Sequence, residues 1–261
     1  MPVHHRGADA GVLAATISQS PVRAVYLMPT FHNPVGTVMP ESVRRELARF
    51  SRVSGVPIIE DNTLAELALG CEPPPPLAAY AGEAPISSIG SLSKLCWAGL
   101  RVGWIRAPRS AIAQLGRRKA VADLGTSLFS QAIAVHLVAE ADRVRDLRCR
   151  ELAGRLTLAE DLLQRWLPDW SWRRPEGGVS VWARLPAGSS IELAPVAQRH
   201  GVMIVPGSIM SPTGRFDEYV RLPFDHDPGV LGEGIRRLAA AWKAYHAALD
   251  ADGLNRVDVI V

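Results

Sequence analysis

The chain has 261 residues, of which 48% are apolar and 21% charged, a composition typical of a soluble globular protein with one large or two small domains. Its net charge of +3 comes from scattered arginines, so nucleic-acid binding by this chain gains little support. Three widely separated cysteines lack metal-ligand spacing and indicate reduced thiols in a cytoplasmic protein. No apolar run reaches membrane-spanning length, and the first residues lack a signal-peptide core.

The first half of the chain alternates between strand-like and helical patterns. Short apolar runs at residues 23–28, 56–59, 86–89 and 102–105 predict four strands. After the first of them, Pro40 opens a helix whose apolar residues recur at helical spacing, and Gly55 predicts its end. Strands that alternate with helices indicate an α/β fold with a mostly parallel sheet and helices on both faces.

The second half begins with a long helical pattern over residues 110–166, with a break near Gly125. Further strands are predicted at residues 179–182, 202–205 and 219–222, and a helix over residues 228–249 follows them. This section therefore predicts a second, smaller α+β domain. We place the boundary between the two domains near residue 140, inside the helical stretch.

Three polar residues follow the ends of successive predicted strands. They are Asn33, Asp61 and Lys94. In a parallel sheet, ligands bind outside the carboxyl ends of the strands. We therefore expect these side chains to converge on one edge of the sheet.

Lys94 ends the segment Ser-Leu-Ser-Lys and is one of only three lysines in the chain. A lysine amine forms Schiff bases readily when its pKa is lowered. Ser91, Ser93 and Arg101 supply neutral donors and a fixed positive charge, which match a phosphate group. An amine beside a phosphate cradle predicts pyridoxal phosphate (PLP), a cofactor that carries an aldehyde and a phosphate on one ring.

Six segments, in order along the chain, resemble those of the fold-type-I PLP enzymes of the class I/II aminotransferase group. They cover residues 29–36, 59–61, 90–94, 99–104, 175–178 and 220–224. Within that group the chain is most similar to the aminotransferase-like module of MocR-type regulators of the GntR family. The resemblance implies an α/β fold with a partial PLP-binding large domain at residues 1–140 and a small α+β C-terminal domain at residues 141–261.

The resemblance also implies a role for each matching residue. Lys94 would form the Schiff base with the cofactor and then move a proton during transamination. Asp61 would pair with the pyridine nitrogen, and Asn33 would bind the phenolic oxygen of the ring. The phosphate would be held by Ser91, Ser93 and Arg101.

The substrates implied by the resemblance are an amino acid and a 2-oxo acid. Arg221 would bind the amino-acid carboxylate in a bidentate pair. The family's active site lies at a dimer interface, so a cytoplasmic homodimer is expected. DNA binding would require an N-terminal domain that this sequence lacks.

The chain departs from the family pattern at two places. No aromatic residue follows Asp61, where many relatives have a tyrosine. The Asn-Pro-Val-Gly segment lies about thirty residues from the N-terminus, so the chain resembles the C-terminal portion of a longer ancestor. Three functions therefore remain open: a PLP-dependent aminotransferase, an effector-sensing module of a MocR-type regulator, or a truncated remnant with little activity.

Overall fold

The structure of the protein is a computed structural model that describes residues 3–4, 7–8 and 10–255. The chain divides into two compact units. The first comprises residues 1–151 together with residues 175–178, and the second comprises residues 152–174 and 179–261. Among the described residues, none of the helices has the length and apolar character needed to cross a membrane.

The first unit contains one sheet, several helices and a pair of two-residue strands. In chain order its elements are β1 (Val3–His4), β2 (Gly7–Ala8), α1 (Ala10–Gln19), β3 (Val25–Leu27), α2 (Glu41–Ser54), β4 (Ile58–Asp61), β5 (Ile86–Ser91), β6 (Gly103–Arg106), α3 (Arg109–Asp123) and α4 (Leu128–Ala139). Helix α5 (Ala141–Trp166) begins in this unit and continues into the second. The predicted break near Gly125 is confirmed, because this residue lies between α3 and α4 with φ = 140°.

The sheet of the first unit has the strand order β3-β4-β5-β6. Strands β3, β4 and β5 are parallel, whereas β6 pairs with β5 in the antiparallel direction. The prediction of a mostly parallel sheet is therefore confirmed. This arrangement brings the carboxyl ends of β3, β4 and β5 to the same edge as the amino end of β6.

The apolar residues of helix α2 repeat at helical spacing, so they form one side of the helix, and this side packs against the sheet. Leu47 and Ala48 are fully buried and belong to the same core cluster as Leu27 and Ile58 of the strands. The helix ends at Gly55, which has φ = 71° and donates its backbone N–H to a carbonyl in the last turn. A glycine adopts this left-handed conformation without strain, which is why the helix ends here.

The charged side chain of Arg44 is fully buried within the first unit. Its guanidinium donates hydrogen bonds to four oxygens, which belong to the backbone of Met39, Pro29 and Pro75 and to the Thr30 hydroxyl. Burial lowers the pKa of Arg44, and the negative charge of Glu60 opposes this effect. Arg44 therefore ties α2 to the loop after β3 and to the four consecutive prolines at residues 73–76.

Glu60 is the buried acidic counterpart, and it lies on β4 next to Asp61. Its carboxylate accepts hydrogen bonds from the backbone N–H groups of Leu77 and Ala78 and from the Ser88 hydroxyl. The two backbone donors open a short 3-10 helix, where unpaired N–H groups favour an anion. Glu60 thereby fixes the position of β4 relative to β5.

The second unit is an antiparallel sheet covered by helices. Its elements are the rest of α5, β7 (Ser171–Trp172), β8 (Ser180–Arg184), α6 (Ser190–Arg199), β9 (Val205–Pro206), β10 (Tyr219–Pro223) and α7 (Pro228–Asn255). The strand order is β7-β8-β10-β9. The predicted second α+β section is confirmed, but the predicted strand at residues 202–205 is wrong for its first three residues, which lie outside β9.

Candidate active site

Asp61 and Ser91 are the last residues of the parallel strands β4 and β5. Asp61 pairs in register with Ile89, two residues before Ser91. Because successive side chains on a strand point to opposite faces, Asp61, Ile89 and Ser91 share one face of the sheet. The carboxylate and the first hydroxyl of the predicted site are thus brought to the same face at the same edge.

The turn after β5 presents Lys94 at the surface. Leu92 and Leu95 are 2% and 4% exposed and anchor the turn, whereas Lys94 between them is exposed. The hydroxyl of Ser91 accepts a hydrogen bond from the backbone N–H of Ser93 at 3.1 Å, which closes the turn. Among the residues that the structure describes, Lys94 forms no hydrogen bond or ion pair, so its amine is available to react.

A cavity of about 730 Å³ lies beside this turn, and the three predicted phosphate-binding residues line it. These are Ser91, Ser93 and Arg101. Two basic residues of α3 that sequence reasoning missed, Arg118 and Lys119, line the same cavity. Lys119 is paired with Asp123 at 2.5 Å, while Arg101 adopts a left-handed backbone conformation with φ = 53°. The cavity is therefore bordered by hydroxyls and positive charge, the donors that a phosphate requires.

Two groups hold the carboxylate of Asp61. The hydroxyl of Tyr26, on the neighbouring strand β3, donates a hydrogen bond to Oδ2. The backbone N–H of Thr63 donates to Oδ1 at 2.9 Å. Partial burial, and then the hydrogen bond and charge of Asp61, raise the pKa of Tyr26 above its ordinary value. The sequence analysis missed Tyr26. The only signal for it was a residue with a hydroxyl between two apolar residues, Val25 and Leu27, on the predicted strand next to that of Asp61.

Asn33 lies in the loop after β3, which its own backbone hydrogen bonds hold in shape. The N–H of Gly36 donates to the carbonyl of His32 at 2.6 Å, and the N–H of His32 donates to the carbonyl of Thr37 at 3.0 Å. The Asn33–Pro34 peptide bond is cis. Burial lowers the pKa of His32, which favours the neutral imidazole and fits a structural role beside Asn33.

The buried ring of Phe31 anchors the same loop. Phe31 is fully buried and has φ = 53°. It packs against Gly177, where an added Cβ would come within 2.2 Å of the ring. This close approach requires glycine at position 177 and explains why the Pro-Glu-Gly-Gly segment belongs to the first unit.

Arg221 belongs to the second unit, where it lies on β10. It is partly buried and pairs in register with Trp182 and Val205 of the neighbouring strands. Burial lowers the pKa of Arg221, whereas the charge of Asp225 raises it. The first unit therefore holds Ser91, Ser93 and Arg101 around one cavity and Asp61 on the same face of the sheet as Ser91, whereas Arg221 belongs to the second unit.

Comparisons with known proteins extend this result. The fold matches the crystal structure of LysN, the alpha-aminoadipate aminotransferase of Thermus thermophilus, complexed with N-(5'-phosphopyridoxyl)-L-leucine. The TM-score is 0.87 at 29% sequence identity, and the match covers 95% of this chain and 66% of LysN. The mostly parallel sheet of the first unit and the antiparallel sheet of the second unit are therefore those of the aminotransferase fold class.

Residues 2–238 match the family described as aminotransferase class I and II. The chain belongs to this family, which is PLP-dependent, and the resemblance predicted from the motifs is confirmed. Aromatic-amino-acid aminotransferase 1 of Thermococcus litoralis is 35% identical over 227 residues, covering 85% of this chain and 54% of the relative. The HTH-type transcriptional regulator YisV of Bacillus subtilis is 35% identical over 248 residues, covering 92% and 50%.

The chain thus spans about half the length of these two curated relatives. The side chains present nevertheless fit PLP by their chemistry. The hydroxyls of Ser91 and Ser93 and the guanidinium of Arg101 border a cavity, and the exposed Lys94 comes directly after Ser93. The carboxylate of Asp61 ends the neighbouring strand β4. Among the described residues, no group of three histidine, cysteine, aspartate or glutamate side chains could hold a metal ion.

Proposed function

We propose that this chain binds PLP and transfers amino groups between an amino acid and a 2-oxo acid. The observation that carries the proposal is the cavity lined by Ser91, Ser93 and Arg101, together with the exposed Lys94 that directly follows Ser93 in the chain. When bound, PLP supplies an aldehyde that condenses with amines and a cationic ring that accepts electrons.

Each candidate residue has a distinct task in this proposal. Lys94 would hold the cofactor through its amine and would move the proton at the substrate α-carbon. Asp61 holds the proton on the ring nitrogen, and Asn33 binds the phenolic oxygen. The hydroxyls of the Ser-Leu-Ser-Lys turn and the Arg101 guanidinium bind the phosphate.

Arg221 is proposed to bind the substrate carboxylate. A guanidinium offers two parallel N–H donors to a carboxylate, which gives orientation as well as affinity. The lowered pKa does not remove this charge, because the pKa of arginine starts so far above neutrality. The positive charge therefore persists near neutral pH, where an amino acid carries a carboxylate.

A sensing module is the second candidate, and one observation favours it. HTH-type transcriptional regulators of Bacillus subtilis are 35% and 34% identical to this chain. In that case an amino acid bound to the PLP-loaded chain acts as an effector, and DNA binding requires a domain outside these 261 residues. The segment after Asp61, which lacks an aromatic residue, is compatible with slow chemistry and a persistent signal.

One experiment separates these functions. We expect titration with PLP to produce an absorbance band near the visible edge that saturates at one equivalent per chain. A transaminase then converts many equivalents of amino donor in the presence of a 2-oxo acid, whereas a sensor shows a spectral change with each added amino acid but no sustained turnover. Protein that remains colourless at millimolar PLP would refute both functions and leave the truncated remnant.

We also propose that a second copy of the chain covers the exposed apolar surface of α4. Leu128, Phe129 and Val135 on this helix are 80%, 85% and 68% exposed. Apolar side chains clustered at such exposure are typical of an interface. Aromatic residues contribute most to such interfaces when they are buried by a partner.

Replacing Phe129 tests the dimer. We expect Phe129→Ser to weaken self-association at least about tenfold, the usual scale for an interface aromatic residue, as measured by sedimentation equilibrium. Val53, which is 81% exposed on α2, provides the matched control, and Val53→Ser should leave the association unchanged. A wild-type protein that is monomeric at about 100 µM or above, on the order of a weak-dimer dissociation constant, contradicts the proposal.

A further inference from the structure

Tyr26 is an exposed residue in a strand whose other side chains form the core. Its neighbours Val25 and Leu27 are 7% and 5% exposed, whereas Tyr26 is 58% exposed. The aromatic ring is therefore not needed to fill the core of the first unit. Its hydroxyl, however, is committed to Asp61.

The geometry of the sheet explains how the hydroxyl reaches the carboxylate. Strands β3 and β4 are parallel, and Tyr26 pairs in register with Ile59. Asp61 lies two residues further along the same strand and thus on the same face. Diagonal neighbours of this kind lie about 7–8 Å apart at the backbone, a distance that a tyrosine side chain spans.

The contact leaves room for a third donor. Tyr26 binds Oδ2 and the backbone of Thr63 binds Oδ1, so the plane of the carboxylate is fixed at both oxygens. An ionised carboxylate accepts hydrogen bonds at about four lone-pair sites, so both oxygens can still accept. A tyrosine phenol is protonated near neutral pH, and the raised pKa of Tyr26 extends this to more alkaline pH, so the phenol remains a donor.

We propose that Tyr26 is a positioning residue that orients the Asp61 carboxylate for the ring nitrogen of the cofactor. The inference rests on the proposed PLP binding. It extends the site to a residue outside the turn after β5 and the loop after β3. The phenol acts only through Asp61. Its contribution therefore depends on a nitrogen being present in the ring of the ligand.

The test compares two ligands and two proteins. The ligands are PLP and its analogue with a CH group in place of the ring nitrogen, and the proteins are wild type and Tyr26→Phe. We expect the variant to bind PLP about 5- to 20-fold more weakly, as for loss of a hydrogen bond to a charged group. Its affinity for the analogue should change less than about twofold, because the analogue offers Asp61 no N–H.

Two further variants complete the experiment. In an Asp61→Asn background, Tyr26→Phe should have no additional effect on PLP affinity, because the group it positions has been replaced. Tyr219→Phe is the matched control, since its hydroxyl has no hydrogen-bond partner among the described residues. It should bind both ligands as wild type does.

The other outcomes overturn the inference. An equal loss of affinity for both ligands would assign Tyr26 a purely structural role. Unchanged or tighter PLP binding by Tyr26→Phe would mean that the phenol does not orient Asp61, or that it competes with the ring. A wild-type protein that binds neither ligand refutes the proposed function itself, and the inference falls with it.

Discussion

Lys94→Ala is expected to abolish the covalent attachment of PLP and the visible absorbance band that accompanies it. Lys94 directly follows Ser93, which lines the candidate phosphate cavity, and among the described residues Lys94 has no competing hydrogen-bond partner. If the protein is a transaminase, kcat should fall by about 10²- to 10⁴-fold, the usual contribution of a positioned proton-transfer group. Absorbance spectra and turnover with an amino donor measure the two effects.

Borohydride reduction of the loaded protein makes the assignment specific. Reduction fixes a Schiff base as a stable amine, and mass spectrometry of the peptides should then locate the cofactor on Lys94. Lys243→Ala is the matched control, because Lys243 is an exposed lysine on α7, and this variant should be labelled as wild type is. Label on another lysine, or an undiminished band in Lys94→Ala, would overturn the assignment of the site.

The sequence was sufficient to predict the parallel order of the strands that carry the candidate site. Asn33 and Lys94 come after β3 and β5, and Asp61 ends β4; the alternation of strands and helices predicts the parallel pairing of these strands. The carboxyl ends of parallel strands meet at one edge, so the order of these residues along the chain was sufficient to predict a site there. Arg221 could not be treated in the same way, because it belongs to the other unit.

Features that depend on pairing across the sheet were not predictable. The antiparallel direction of β6 leaves no mark in its own composition, and Tyr26 meets Asp61 only through the register of β3 on β4. Helix α6 was missed because Pro195 lies inside it, and proline is read as a helix breaker. Local patterns therefore predicted the elements, and tertiary pairing determined which side chains meet.

Arg44 is a further case in which the tertiary structure determines the role of a residue. In the sequence it is one of many arginines on an amphipathic helix, yet it is fully buried and donates to four oxygens. We expect Arg44→Met to lower the free energy of unfolding by about 3–5 kcal/mol, because it leaves four oxygen acceptors without their donor and removes the positive charge that interacts with the buried Glu60. Urea denaturation measures this as a lower midpoint at an unchanged slope.

The neighbouring Arg45 provides the control for this prediction. It lies one residue further along α2, is exposed, and pairs with Glu41 at the surface, where an ion pair contributes little. Arg45→Met should therefore leave the midpoint unchanged. The double variant Arg44→Met/Glu60→Gln should lose less stability than the sum of the single variants, because removal of both buried charges leaves neither unpaired. Strict additivity would show that Arg44 acts through its four oxygen acceptors alone, and a wild-type midpoint for Arg44→Met would contradict its burial.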